Sequence, residues 1–317
     1  MPRLTVVVPA YNESAVLETF HARLSRVLDE LPLDCSVLYI DDGSSDTTWS
    51  LIETLAARDP RTGALKLSRN FGKEAALTAG LDHVDADAAV VIDADLQDPP
   101  ELIASLVEQW RAGFDVVYAT RTARAGETGF KRLTAALFYR SMARLSDTHV
   151  PRDTGDFRLL SRRALDALRQ LRERQRFMKG LFAWIGYRQT AVYYLREPRH
   201  AGTTKWNYWR LLQLAIEGIT SFSTAPLRLA TWVGVFSSLV AFLYGLWVFG
   251  KAALFGDPVH GYPSLMVVIL FLGGVQLLAL GVIGEYLGRS YAESKQRPLY
   301  FIEEQRLPRL KTDARSN

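Results

Sequence analysis

Cysteine is almost absent from this chain of 317 residues: Cys35 is the only one, so no disulfide can form within the chain. That composition is typical of a reducing compartment. Cys35 opens an apolar segment, and we expect a small core residue there. The chain also lacks zinc-finger spacing, an aromatic RNA-binding motif and a dense basic arm. Its net charge of +4 therefore indicates phosphates or a membrane face as partners, and no nucleic acid.

A secretory leader is not expected either, because the apolar run Val6–Val8 is too short for one. Charge itself is missing from two stretches near the C-terminus. Leu229–Gly250 has no charged residue over 22 positions, and Ser264–Gly284 has none over 21. Each is long enough to cross a bilayer as a helix, whereas core helices of soluble proteins seldom run so far without charge.

The charges around these two stretches predict their orientation. The connecting segment Lys251–Pro263 has one lysine and no arginine, whereas basic residues lie on both outer flanks (Arg210, Arg228, Arg289, Lys295 and Arg297). The positive-inside rule then predicts both termini in the cytoplasm. We expect an integral protein of the cytoplasmic membrane, with transmembrane helices at about 229–250 and 264–286 within residues 226–290. Residues 207–225 indicate an amphipathic juxtamembrane helix, which could lie on the membrane surface or pack against the soluble domain, and 291–317 a cytoplasmic tail.

Residues 1–206 alternate strand-like and helix-like segments, which predicts an α/β fold with a mostly parallel sheet and flanking helices. The predicted strands are 4–9, 36–40, 64–67, 88–92 and 115–119, and the predicted helices are 14–31, 47–57, 73–83 and 101–113. Ligands of such sheets bind beyond the carboxyl ends of the strands. The polar motifs of the chain follow those ends.

The most informative motif is the segment Asp93–Glu101 (Asp-Ala-Asp-Leu-Gln-Asp-Pro-Pro-Glu), which follows the apolar run Ala88–Ile92. Extended backbone turns Asp93 and Asp95 to one side. Two close carboxylates are costly unless a cation separates them, and Mg²⁺ takes carboxylates together with substrate phosphates. Taken alone, the motif also suits an acidic turn.

Three further motifs follow strands, and each has a structural alternative. Tyr11 offers a stacking face and Glu13 an acceptor for a base, although Asn12 or Ser14 could simply cap a helix. Asp42 could bind a base or ribose, beside a turn at Gly43. Lys73 could hold phosphate or lie in a solvated turn.

Two motifs further along the chain are also ambiguous. Thr154–Arg158 is predicted to be a polar turn, with Asp156 as a helix cap or as an ion-pair partner of Arg158. Arg199–Lys205 is predicted to be a basic loop, which near a diphosphate would neutralise charge.

Together these motifs resemble glycosyltransferase family 2 with its GT-A fold. The closest likeness is to the branch of polyprenyl-phosphate glycosyltransferases, both GtrB-like and dolichol-phosphate mannosyltransferase-like. The resemblance runs from Val8–Glu13 to Gly284–Arg289 and includes Arg69–Lys73, Arg176–Gly180 and Lys205–Tyr208.

The resemblance implies an inverting, metal-dependent transfer of a sugar from a nucleotide sugar to polyprenyl (undecaprenyl) phosphate at the cytoplasmic membrane face. It implies Asp156 as base or electrostatic group, with Asp93 and Asp95 also catalytic, and Mg²⁺ or Mn²⁺ held by Asp95, Gln97 and Asp93. The implied nucleotide-sugar ligands are Pro9, Tyr11, Glu13, Ile40, Asp42, Lys73, Asp93, Ala94, Asp95, Lys179, Arg199 and Lys205. Arg121, Lys131 and Arg132 would receive the lipid phosphate. A membrane homo-oligomer is compatible with this branch.

Glucose from UDP-glucose is the sugar we expect, because Asn70–Glu74 and Arg174–Tyr187 look most like GtrB-type enzymes. Mannose, N-acetylglucosamine and a modified arabinose stay open. A processive polysaccharide synthase is a weaker alternative, because its Gln-x-x-Arg-Trp and Thr-Glu-Asp motifs are missing. A non-catalytic lipid-binding or flipping protein would be expected to lose carboxylates such as Asp93 or Asp156, and both are present.

Overall fold

The computed structural model describes residues 1–121, 154–174, 176–194, 225–255 and 261–308. Its strands are β1 (Arg3–Ala10), β2 (Asp34–Asp41), β3 (Thr62–Leu67), β4 (Ala88–Val91), β5 (Val116–Arg121), β6 (Thr154–Ser161), β7 (Gln189–Tyr194) and β8 (Ile302–Arg306). Its helices are α1 (Leu17–Glu30), α2 (Thr48–Arg58), α3 (Lys73–Asp82), α4 (Leu102–Arg111), α5 (Arg162–Gln170), α6 (Met178–Trp184), α7 (Ala225–Phe255) and α8 (Tyr262–Ser294).

The described strands form one sheet in the order β7-β5-β6-β4-β1-β2-β3-β8. Pairs β1–β2, β1–β4, β2–β3 and β5–β7 are parallel, whereas β3–β8, β4–β6 and β5–β6 are antiparallel. The predicted α/β class with a mostly parallel sheet is therefore confirmed. The five predicted strands and the four predicted helices are present, and their ends differ from the predicted ones by at most three residues.

The spacing of buried apolar residues explains why these segments form strands and helices. β1 is apolar on both faces, as expected of a central strand, and its residues Leu4, Val6, Val7 and Val8 are fully buried. α1 instead buries one stripe, formed by Leu17, Phe20, Leu24 and Leu28 at helical spacing. Cys35 lies in the same core, as predicted.

The predicted turn at residues 154–158 is wrong, because these residues begin strand β6. β6 lies between β4 and β5 and pairs with both. Its charged side chains are accommodated by partners distant in sequence: the Arg158 guanidinium lies 3.9 Å from the centre of the Phe182 ring, and Asp156 pairs with Lys73. The helix cap after this strand is Ser161, whose Oγ accepts a hydrogen bond from Ala164 N at 3.3 Å.

The segment after the second apolar helix returns to the sheet. It forms β8, which pairs antiparallel with β3 along the sheet edge. Lys66 of β3 lies 3.4 Å from a Glu303 carboxylate oxygen and 3.1 Å from a Glu304 one. The sequence predicted only a tail in this region, so β8 is an element that it missed.

The described residues fall into two compact units, one with the sheet and its helices and the other with α7 and α8. Each long helix contains a stretch long and apolar enough to cross a membrane, Leu229–Trp247 and Phe271–Ser294. Only 6% and 0% of these stretches are buried within the protein. The two predicted apolar helices are therefore present, and both extend beyond their predicted ends.

Candidate active site

A cavity of about 320 Å³ opens at the carboxyl ends of β1, β2, β3 and β4. This is the sheet edge at which parallel α/β folds bind ligands. The cavity brings together the motifs that follow these strands, and Tyr11, at 47% exposure, presents its ring to solvent. Its lining residues are Pro9, Ala10, Tyr11, Glu13, Asp42, Asn70, Gly72, Lys73, Ala76, Asp93, Ala94 and Asp95.

Asn12 fixes one wall of this cavity. Its backbone has a φ of 55°, a conformation that asparagine tolerates, and its side-chain oxygen accepts a hydrogen bond from Ser45 N at 2.8 Å. Glu13 N donates to Thr48 Oγ1 at 2.9 Å. The helix cap suggested for Asn12 or Ser14 is not formed, because Val16 precedes α1 without a side-chain cap. Asn12 instead joins the loops after β1 and β2.

Asp42 fixes the part of the cavity formed by the loop after β3. Its two carboxylate oxygens accept hydrogen bonds from Phe71 N at 2.8 Å and Gly72 N at 3.0 Å. Gly43 allows this close approach, since it has a φ of +66° and an added Cβ would lie 2.5 Å from the carbonyl carbon of Arg69. Burial raises the pKa of Asp42, although these two backbone donors oppose the rise. Asp42 thus shapes the cavity as well as lining it.

Lys73 joins two carboxylates at the centre of the site. Its Nζ donates to Asp93 Oδ2 at 2.7 Å and to Asp156 Oδ2 at 2.6 Å. Burial lowers the pKa of Lys73, but the two carboxylates outweigh burial and raise it overall. The cation suggested for phosphate binding therefore bridges the segment after β4 and strand β6.

The two bridged aspartates differ in their acidity. Burial and the nearby Asp156 raise the pKa of Asp93. Burial also opposes ionisation of Asp156, but Lys73 and Lys179 hold the pKa of Asp156 at about 2. Asp156 is therefore a stable anion and a weak proton acceptor at neutral pH.

The segment after Asp93 has strained backbone. Leu96 has a φ of 59°, which is unusual for a leucine, and Asp95 Oδ1 accepts a hydrogen bond from Gln97 N at 3.1 Å. Gln97 is 6% exposed, and its side-chain oxygen has no hydrogen-bond partner among the described residues. Oxygen atoms of this kind suit a hard divalent ion. No group of three or more His, Cys, Asp or Glu side chains forms a metal site in the described part of the chain.

Two further charged residues act on Asp156, the buried Arg158 and the partly buried Glu74, and the sequence analysis assigned neither of them to ligand binding. Arg158 is 4% exposed and donates to the Gly155 carbonyl at 2.8 Å, and burial lowers its pKa to about 10. Glu74 accepts a hydrogen bond from Met178 N at 3.2 Å, and burial and Asp156 raise its pKa to about 7. Both residues lie inside motifs visible in the sequence, but nothing in those motifs indicates that their charges act on Asp156.

The other predicted site residues differ in whether the structure describes them and in whether they line the cavity. Ile40 is fully buried, and an added Cβ on Gly80 would lie 2.6 Å from its Cδ1, so the side chain of Ile40 does not line the cavity. Arg121 ends β5. The remaining predicted cations, and the predicted juxtamembrane helix, lie outside the described residues: Lys131, Arg132, Arg199, Lys205 and residues 207–224.

Comparison with known protein families identifies both the sheet-containing part of the chain and the apolar hairpin. Residues 5–169 match the model for glycosyl transferase family 2, and residues 225–290 match that for the GtrB C-terminal hairpin. The chain belongs to glycosyltransferase family 2. Its Asp-x-Asp segment and most strands of the sheet therefore lie in a glycosyltransferase domain.

Relatives of this glycosyltransferase match it over almost their full length. An uncharacterized glycosyltransferase of Synechocystis sp. is 51% identical, over 95% of both chains. The bactoprenol glucosyl transferase of Shigella phage SfV is 47% identical over 96% of this chain and 99% of its own. Among solved structures, glucosyl-3-phosphoglycerate synthase from Mycobacterium tuberculosis, in complex with Mn²⁺, UDP-glucose and phosphoglyceric acid, matches with a TM-score of 0.47. That likeness is at 21% identity and covers 69% of this chain and 78% of the other.

Proposed function

We propose that this glycosyltransferase transfers glucose from UDP-glucose to undecaprenyl (bactoprenol) phosphate at the cytoplasmic face of the membrane. The observation that carries the proposal is the 47% identity to a bactoprenol glucosyl transferase over 96% of the chain. The match extends through both the sheet and the apolar hairpin. Transfer from an anionic nucleotide sugar to a membrane-bound acceptor needs the sheet for the nucleotide and the hairpin for the membrane.

The cavity supports the donor half of the reaction. Tyr11 offers a ring for stacking on a base, and Glu13 and Asp42 offer carboxylates for base or ribose. Asp93 and Asp95 line the same cavity, and we expect the diphosphate beside them. Lys73 already lies there, so a diphosphate that enters can compete with the aspartates for its ammonium group.

The donor set of the site suits Mg²⁺ or Mn²⁺. Asp95 lines the cavity and the Gln97 side-chain oxygen is buried without a partner among the described residues, whereas Asp93 is engaged by Lys73. Asp95 and Gln97 are therefore the residues that we expect to hold the ion, with Asp93 beside them. A divalent cation there would stabilise negative charge on the departing nucleoside diphosphate.

The acidity of Asp156 supports a particular role in the transfer. A phosphate monoester has a second pKa of about 6, so the acceptor is mostly dianionic at neutral pH and needs no base. One of its oxygens forms the bond to the anomeric carbon while the bond to UDP breaks, and attack from the opposite face inverts that carbon. Neighbouring cations lower the pKa of Asp156, and we assign Asp156 the role of a fixed anion that stabilises positive charge on the sugar. This favours the electrostatic role over the base role.

The hairpin supports a membrane location for the acceptor. β8 follows α8 in sequence and joins the sheet that contains β1. If both helices span a bilayer, the chain leaves from and returns to the same side. That topology agrees with both termini in the cytoplasm, where nucleotide sugars are available.

The test is direct. Purified protein in detergent is incubated with undecaprenyl phosphate, Mg²⁺ and a panel of nucleotide sugars, and the lipid product is followed by mass spectrometry. We expect a single glucosylated lipid from UDP-glucose that disappears with EDTA and in Asp95→Asn. Asp29→Asn, the same change at an exposed ion pair with Arg61, is the matched control and keeps activity. Product from UDP-N-acetylglucosamine or GDP-mannose, and none from UDP-glucose, would contradict the choice of sugar.

A further inference from the structure

We propose that Tyr194 is a positioning residue that acts through Asp98 to hold the turn 95–97 in the shape that binds the divalent cation. This proposal rests on the proposed function, because it takes Asp95 and Gln97 as the residues that hold the ion. Tyr194 itself lies outside the cavity lining and 96 positions from Asp98 in the sequence.

Tyr194 and Asp98 are in direct contact. The hydroxyl group of Tyr194 donates a hydrogen bond to Asp98 Oδ1. The two residues are 5% and 3% exposed, so this hydrogen bond is shielded from water. A buried polar group that loses its partner cannot replace it with solvent. The contact therefore favours a single position of the Asp98 carboxyl group.

The topology of the sheet explains how a residue of β7 reaches the segment after β4. Tyr194 is the last residue of β7, which pairs parallel with β5, and both β5 and β4 pair antiparallel with β6. The strands β4, β5 and β7 therefore run in the same direction and end at the same edge of the sheet. Asp98 follows β4 at that edge. A strand that contributes no residue to the cavity lining thus supplies a fixed partner for the turn.

The turn needs such a partner because its backbone is strained. Leu96 has a φ of 59°, and a conformation of this kind persists only where the surrounding structure fixes it. The hydrogen bond from Gln97 N to Asp95 Oδ1 lies within the turn itself. The contact of Asp98 with Tyr194 instead ties the turn to another strand.

Gln97 is the residue through which this contact reaches the ion. Its side-chain oxygen is buried without a hydrogen-bond partner among the described residues, and it suits a hard divalent ion. Asp98 is the next residue in the chain, so a displaced Asp98 also displaces Gln97. Affinity for the divalent cation is therefore the property that we expect to depend on the Tyr194 hydroxyl group.

Tyr194→Phe removes only the hydroxyl group, because the phenylalanine ring still packs in the hydrophobic core that also contains Leu96. We expect Mn²⁺ to bind the UDP complex of this variant about three- to tenfold more weakly than that of wild type, the factor that corresponds to one lost buried hydrogen bond. Electron paramagnetic resonance of free Mn²⁺, with the full-length protein in detergent at saturating UDP, measures this affinity.

Tyr39→Phe is the matched control. Tyr39 is fully buried in β2, two strands away from β4, and its hydroxyl oxygen lies 3.0 Å from His21 Nδ1. The variant loses the same group at a distance from the turn, so we expect its Mn²⁺ affinity to stay within about twofold of wild type. A merely structural effect of losing a buried hydroxyl group would weaken Mn²⁺ binding equally in both variants.

A double-mutant cycle with Asp98→Ala tests whether Tyr194 acts through Asp98. If it does, Tyr194→Phe weakens Mn²⁺ binding in the wild-type protein but not in the Asp98→Ala background. Losses that multiply in the double variant would overturn the proposal, as would wild-type Mn²⁺ affinity in Tyr194→Phe. If Asp98→Ala does not fold, the comparison of Tyr194→Phe with Tyr39→Phe still decides the question.

Mn²⁺ binding also separates this proposal from the reaction itself. A wild-type protein that transfers no glucose, but whose Mn²⁺ affinity follows the expected pattern in these variants, would refute the proposed function and leave the role of Tyr194 standing. A wild-type protein that transfers glucose but binds no Mn²⁺ in the presence of UDP would overturn the role of Tyr194 alone.

Discussion

Removing the ammonium group of Lys73 is the most informative test of the site's electrostatics. Lys73→Met keeps the length and apolar stem of the side chain but leaves Asp93 and Asp156 without the cation between them. Since the Asp93 and Asp156 oxygens lie 2.7 and 2.6 Å from Nζ, they are at most about 5.3 Å apart. At an effective dielectric constant of about 20, two charges at that distance repel by about 3 kcal/mol.

Screening by solvent reduces this repulsion energy. The Asp93 side chain is 30% exposed and that of Asp156 is 14% exposed, so we expect Lys73→Met to cost about 1 to 3 kcal/mol at neutral pH. For a domain of this size that is a loss of about 3 to 9 °C in melting temperature.

The direction of the pKa shift of Asp156 predicts how the stability difference between the two proteins varies with pH. In the wild-type protein the pKa of Asp156 is lowered, so its pairing stabilises the fold above its unfolded pKa of about 4 and is lost toward pH 2. In Lys73→Met the repulsion ends once one carboxyl group is protonated. The difference in melting temperature between the two proteins should therefore be largest at pH 7 to 8 and shrink as the pH falls toward about 4.

Thermal unfolding in detergent without nucleotide, followed by tryptophan fluorescence from pH 4 to 8, measures this difference. Lys66→Met is the matched control, because Lys66 also lies between two carboxylates, but these are 50% and 48% exposed. We expect its effect to be below about 1 kcal/mol and nearly independent of pH. Equal effects of the two substitutions at pH 7.5, or a Lys73→Met effect that persists unchanged at pH 4, would refute the reasoning.

Three other predictions test separate features of the protein. Gly43→Ala should destabilise the protein by more than about 1 kcal/mol, measured by thermal unfolding, because φ is +66° and the new Cβ would meet Arg69; an unchanged midpoint would contradict the close approach. Glu74→Gln should gain stability relative to wild type as pH rises from about 4.5 to about 7, by up to about 3 kcal/mol, because ionising Glu74 costs stability in that window; a flat difference contradicts it. In a Cys35→Ser background, His260→Cys should react with an impermeant maleimide from outside intact cells and Asn317→Cys only after lysis; the reverse pattern would contradict the orientation.

Local patterns were enough to predict the parallel half of the sheet. The apolar runs of β1, β2 and β4 and the amphipathic stripe of α1 are visible in the sequence and match the structure. The cavity could be predicted for the same reason, since its residues follow those strands and parallel strands end at one edge.

The features that the sequence analysis missed depend on contacts between residues far apart in sequence. Thr154–Ser161 reads as polar because Asp156 and Arg158 are charged, yet both find partners in other elements and the strand lies inside the sheet. Ile302–Arg306 reads as a charged tail, and only its pairing with β3 makes it a strand. The salt bridges of Lys73 also could not be predicted, because a lysine at a helix start serves a phosphate and a carboxylate equally well.

The edge strand β8 has a consequence for how the protein is made. A chain emerging from the ribosome has β3 in place long before residues 302–306, because both apolar helices are synthesised between them. Until then β3 is an open edge, which is a site for aberrant pairing. Completion of the sheet therefore waits for the hairpin, and a fragment that stops before α7 would keep that edge exposed. A soluble version of the enzyme is better designed by replacing the hairpin with a short linker, so that β8 is retained.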